Sequence, residues 1–464
     1  MFHSAEALTR FANSVIHQNV AEATTTVRLR LHLDGRTAGG STTVTDAAGL
    51  ESLVGGAITA ARLSPPDAAW PGLTPPTPLH PNPGGFDEAT ARATPEDRAR
   101  RVRDFVHAAG GLETAGYCRT VYSAVAFANT AGQAVEGRAA EAAMDGIARL
   151  SGADGVARLA SGRLTDLDGA TLGARAAAKA RAGGQPIELP PGRYEVVLEP
   201  DAVADMLSNL SMYGFNGKAY AQRQSFAELG AEQFDPSVTI VDEPLGRPGE
   251  ATPTVPFDTE GTPRGALVLV REGTTTAVAH DRRSAAQAGT TSTGHGSPSS
   301  RTWGPMPVQM RMEASATPGY PAPPSSATSG AAASGTATPG TATPGTGTAG
   351  FEVGPTVASA LPLVASMKRG LLITDFWYTR VLDQKSLVIT GLTRNGVWLV
   401  EDGEVTAAVG NMRFTQSYPQ ALGLGAVLGI GATSILLPDR WSGVRFGAPA
   451  LHLASWNLTG NASG

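Results

Sequence analysis

Between Lys368 and Gln420, apolar strand-like runs alternate with charged turns in an order that composition alone does not produce, and no other stretch constrains the fold as tightly. Leu371 to Ile373, Ser386 to Ile389 and Val397 to Val400 are short runs rich in β-branched and aromatic residues, bounded by Asp, Asn or Gly, the pattern of antiparallel strands. Asn395-Gly396 and Asp402-Gly403 accept positive φ at low cost, so each predicts a tight hairpin turn. The region is expected to form a β-meander or part of a barrel. Phe376, Trp377 and Tyr378 lie inside it. Exposed, they would make a peptide-contacting patch; buried, they would fill a sheet core, the commoner role of large aromatics.

A chain of 464 residues is too long for one ordinary core, so two domains and a linker are expected. Charged residues are 17% and the net charge is −5, which gives no polyanion-binding surface, so neither nucleic acid nor an acidic disordered chain is indicated. The start, MFHSAEALTRFANSVIH, has polar residues where a secretory signal needs an apolar block, and no run is long enough for a membrane span, so the expected location is the cytoplasm. The single cysteine, Cys118, allows no internal disulfide framework and no Cys-based zinc cluster, and it fits a small buried filler better than a nucleophile.

Val27, Leu29, Leu31 and Leu33 alternate with polar residues as in a half-buried strand, and Asp34-Gly35 ends it as a hairpin. Prolines make Ser64 to Gly85 an exposed loop. Thr94-Pro95-Glu96-Asp97 supplies an N-cap, a first-turn proline and acids, and Val102, Phe105, Val106 and Ala109 give the apolar face of a helix stopped by Gly110-Gly111. The Ala-rich segments Gly137 to Leu150 and Thr171 to Ala182 also read as helices, the second ended by Gly183-Gly184. The fold class is therefore α+β: an N-terminal α+β domain over 1–184, then a mainly β domain over 187–464. That second domain opens with the strand Tyr194 to Leu198 and a helix whose apolar face is Val203, Met206, Leu207 and Leu210.

These features occur in order with GFNGKAYAQRQSF after the helix, Phe257-Asp258-Thr259-Glu260-Gly261-Thr262-Pro263 before a hairpin, and Thr293-Gly294-His295-Gly296, which resembles a TGHG segment. Together, over about residues 187 to 440, the chain resembles the TldD/PmbA family of metallopeptidase subunits. In the TldD-like branch the resemblance implies a helix with HExxxH, two histidines holding zinc and a glutamate polarising water, and a further cysteine ligand near the C-terminus. Here that register falls on Ser208-Asn209-Leu210-Ser211-Met212-Tyr213, the nearest histidine to Ser208 is His280, and the C-terminal half has no cysteine. No metal ligand and no catalytic residue is therefore assigned, and the departure points to the TldE or PmbA-like branch. Asp201 and Asp205, the nearby acids, would complement the helix dipole.

Asp258, Glu260 and His295 are candidate groove positions; two carboxylates and an imidazole could act as base and orienter, or could serve only turn capping and loop hydrogen bonds. From Ala314 to Gly350 the sequence is almost wholly Ala, Ser, Thr, Pro and Gly, expected to be a flexible disordered insert. The function implied by the resemblance is a partner subunit without cofactor, paired with a zinc-bearing HExxxH chain of the TldD type and acting on unfolded or flexible peptides, with neither nucleic acid nor membrane as a partner. The alternatives are a stand-alone peptidase or hydrolase with a divergent site, and a peptide-binding homodimer.

Overall fold

The computed structural model describes residues 1–82, 84–251, 253–315, 359–438 and 444–462. The first half builds one antiparallel sheet of six strands in the order Arg36–Thr42, Val15–Leu33, Phe2–Ala12, Glu113–Ala128, Ala134–Leu150, Ala153–Ser161. Helices Ala47–Leu63, Pro95–Ala108 and Gly169–Ala182 pack against it. The expected helix start at Thr94 is a full capping box, with Thr94 and Asp97 each satisfying the other's backbone N–H. Phe11, Val102, Phe105, Met144 and Leu172 form the core here, together with Cys118. Burial pushes the Cys118 thiol up to about 12, which keeps it protonated and inert.

One expected helix is a strand. Gly137 to Leu150 lies within Ala134–Leu150, paired in continuous register with Glu113–Ala128 on one side and with Ala153–Ser161 on the other. Helix propensity gave way to tertiary pairing, because small side chains are what a sheet covered on both faces admits. Ala139, Ala140, Ala142, Ala143 and Met144 are all buried. A Cβ added at Gly146 would meet the Phe105 ring at 2.5 Å, so the helix above the sheet sits too close for any larger residue.

The second half holds two further sheets. One runs Thr274–Thr275, Leu267–Arg271, Val238–Asp242, Gln309–Ala314, Arg445–Ala448, Ile435–Pro438, with the Gln309–Ala314 and Arg445–Ala448 pair parallel. The other runs Arg369–Asp383, Gly192–Leu198, Leu451–Asn461, Met412–Ser417, Val388–Glu401, Glu404–Ala408. Because Arg369–Asp383 also pairs with Val388–Glu401, this sheet returns on itself as a barrel. Its interior stacks Phe376 on Trp456 with ring centroids 5.1 Å apart, and Phe414 lies 4.5 Å from Phe376. The α+β class with a mainly β second half is thus what the chain forms.

Asp402-Gly403, with φ of 49° and 80°, makes the two-residue turn between Val388–Glu401 and Glu404–Ala408. Asn395-Gly396 does not turn the chain. Its φ values of 58° and 130° fall inside Val388–Glu401, opposite a register shift between Ile373 and Asp375, so the dipeptide forms a β-bulge. Of the segment Ala314 to Gly350, Ala314 ends the Gln309–Ala314 strand and Ser315 bonds to Thr239, so neither is part of a disordered stretch; residues 316–350 lie outside the described residues.

Candidate functional site

Glu199 and Pro200 open the helix Pro200–Asn209, and a π-turn over Leu210–Gly214 continues it. The HExxxH register thus spans the end of the helix and the π-turn. The donor set there does not fit zinc. Ser208, Asn209 and Tyr213 stand where imidazole and carboxylate would be needed, and neutral hydroxyl and amide groups are poor zinc ligands. Asn209 is already engaged, donating through Nδ2 to the Asp205 carbonyl at 2.9 Å and its carboxylate at 3.2 Å, while the Ser211 hydroxyl donates to the Pro307 carbonyl. Among the described residues, no three His, Cys, Asp or Glu side chains converge closely enough to hold a metal ion.

Asp201 and Asp205 prove not to be simple dipole partners. The Asp205 carboxylate accepts from Thr379 Oγ1 at 2.9 Å and from the Tyr418 hydroxyl at 3.4 Å, tying the helix to two barrel strands' ends. Burial and that carboxylate hold the Tyr418 hydroxyl well above its ordinary pKa, so it remains a donor. Asp201 faces Arg158 at 2.8 Å, and Arg158 also contacts Asp375 at 3.1 Å and Asp145 at 2.9 Å. This buried network links the first sheet to the barrel, across the division proposed after Gly184. Asn395, on the bulge, donates to Asp375 at 2.9 Å.

The three aromatics separate. Phe376 is wholly buried in the barrel cluster, so the patch reading fails for it. Trp377 is half-buried with the Arg394 guanidinium 5.1 Å over its ring. Tyr378 is exposed, at positive φ, with Arg380 stacked 4.1 Å from its ring. Its neighbour Thr379 donates to Asp205, so the strand that carries the three aromatics is tied to the helix of the register through Thr379.

Asp258, Glu260 and His295 are brought close together but are committed to structure. Asp258 accepts N–H groups of Glu260 at 2.8 Å, Thr262 at 3.0 Å and Gly296 at 2.7 Å. Glu260 pairs with Arg30 of the first sheet at 2.6 Å and accepts the Arg282 N–H at 2.9 Å. His295 is locked between Asp242 at 2.9 Å and Thr293 at 2.8 Å. With every partner already inside the fold, the trio does not present a base and orienter to a substrate.

Burial, with the Glu260 charge, pushes the Asp258 carboxyl from 3.8 up to about 6 against Arg264 and the N–H donors. A carboxyl raised in the folded state contributes stability that is fully present below the unfolded value and is lost as pH rises through the folded one. Asp258→Asn should therefore gain on the wild type by about 3 kcal/mol between pH 4 and pH 7. Urea midpoints of both proteins across that range measure it, and a stability difference that stays flat with pH would contradict it.

No curated protein sequence matches the chain. Its fold is similar to TldE from Thermococcus kodakarensis, with a TM-score of 0.79 and 16% identity over 99% of this chain and 95% of that one. A Thermotoga maritima protein described as a modulator of a DNA gyrase gives a TM-score of 0.77 at 17% identity, covering 99% of this chain and 94% of that one. A Bacteroides thetaiotaomicron protein with a similar description gives 0.75 at 18%, covering 99% and 93%. Residues 191–317 and 325–460 match the family model described as the PmbA/TldA metallopeptidase C-terminal domain. Matched over more than half of its length, the chain belongs to the TldD/PmbA family.

Proposed function

We propose that this chain is the zinc-free, TldE-like subunit of a two-chain peptidase, paired with an HExxxH chain of the TldD type that supplies the metal and acts on unfolded or flexible peptides. The observation that carries the reading is the ligand register itself: Ser208, Asn209 and Tyr213 occupy the positions of the zinc motif, and Asn209 is tied into the Asp205 cluster. The similarity to the Thermococcus TldE structure supports the branch at the level of fold. An extended peptide suits the role, because sheet edges bind main chain without strict sequence choice, and the exposed Tyr378 offers an aromatic contact. No helix among the described residues is long and apolar enough to cross a membrane.

Assembly tests this pairing. Mixed with the HExxxH homologue from the same genome, the chain should sediment as a hetero-oligomer in analytical ultracentrifugation. Two separate species at micromolar concentration would count against it.

A further inference from the structure

The strand Val15–Leu33 lies between two shorter neighbours. Phe2–Ala12 pairs with Val15–Thr26 on one side, whereas Arg36–Thr42 pairs only with Val27–Leu33 on the other. On that second side Val15–Thr26 therefore faces no strand among the described residues, and its outward N–H and C=O groups form an open edge. Natural sheets blunt such edges with lysine, proline or a covering segment. This one has no Lys, Arg or Pro from Val15 to Thr26, residues 15–23 are all exposed, and Val15, Ile16 and Val20 are apolar. From Gln18 to Thr26 the ladder with Phe2–Arg10 is unbroken, so the edge is regular there.

Charge on this hairpin is unbalanced in a particular way. Glu6 and Glu22 stand directly opposite one another, which is destabilising, and among the described residues no cation pairs with either. Arg10 stands opposite Gln18 on the same concave face, which encloses about 460 Å³, and its one hydrogen bond among the described residues is a long one to Gln18. A two-fold axis normal to a sheet keeps like faces together, so an antiparallel copy centred on Val20 would put Glu22 of one chain opposite Gln18 of the other. The row then reads Glu6, Glu22, Gln18, Arg10, with the first two residues from one copy and the last two from the other. At about 4.8 Å per strand, the guanidinium comes within side-chain reach of the two carboxylates. Centring the axis on Glu22 would instead face that carboxylate with itself.

We propose that the open edge Val15–Thr26 pairs with the same edge of a second copy of this chain, about a two-fold axis at Val20. The contact involves this chain alone and stands apart from the pairing with an HExxxH subunit.

Sedimentation of the full chain by itself, with no homologue present, tests it at about 1 to 100 μM. A reversible dimer is expected in that range. Val20→Lys sets two ammonium groups face to face at the axis and should weaken the dimer about tenfold or more. Glu22→Arg relieves the opposition to Glu6 within the chain, so the hairpin is kept, but it brings a second cation towards Arg10 of the other copy and should also weaken the dimer. Adding Arg10→Glu to Glu22→Arg restores opposite charges along the row and should recover the association. A chain that stays monomeric at about 100 μM, a dimer that Val20→Lys leaves unchanged, or a double variant that associates no better than Glu22→Arg would each overturn the proposal.

Discussion

Replacing Lys179 alone with Met should destabilise the protein by about 3–5 kcal/mol, a loss large enough to unfold many single-site variants. Lys179 on the Gly169–Ala182 helix and Glu199 before the next helix form an ion pair with both side chains wholly buried. Glu199 Oε1 has no other partner, so removing the ammonium strands a charge in the core. Because Glu199 is the cap position of Pro200–Asn209, the strain falls on the helix that carries the degenerate register. The double variant Lys179→Met with Glu199→Leu removes both charges and should recover most of the loss. Thermal or urea unfolding of the three variants reads this cycle. A double variant as unstable as the single one would show that the pair matters for more than its charge balance.

Arg158→Met should cost as much, about 3–5 kcal/mol or more, since it leaves Asp145, Asp201 and Asp375 facing one another. Burial already raises the Asp201 carboxyl, with Arg158 the largest opposing influence. Without Arg158 the Asp201 carboxyl loses its largest opposing influence and is raised further, and a raised carboxyl contributes stability that is lost as pH rises. The variant should thus be closest to the wild type near pH 4 to 5 and furthest from it near pH 8. Unfolding midpoints across that range decide the matter; a deficit independent of pH would mean the arginine acts through packing alone.

The parts of the fold legible in the sequence are those with a local cause. The Thr94 capping box, the Asp402-Gly403 turn and the period-two strand before Asp34-Gly35 each depend on neighbours within a few residues. Positive φ at Asn395 was equally legible, but a bulge and a turn share that conformation, and only the partner strand decides between them. The Ala-rich strand Ala134–Leu150 was not legible, because alanine favours a helix until close packing from two sides makes its small size the deciding property. At the site, the residue types at Ser208, Asn209 and Tyr213 were visible in the sequence. The Asp205, Thr379 and Tyr418 cluster was not, since its members stand far apart in sequence and carry no pattern of their own.

The central claim is that the chain holds no peptidase centre of its own, and cleavage of an unstructured peptide tests it most directly. The purified chain should leave the peptide intact, and adding the HExxxH homologue should produce cleavage that a chelator abolishes. Cleavage by this chain alone, at a rate comparable to the mixture, would contradict the account.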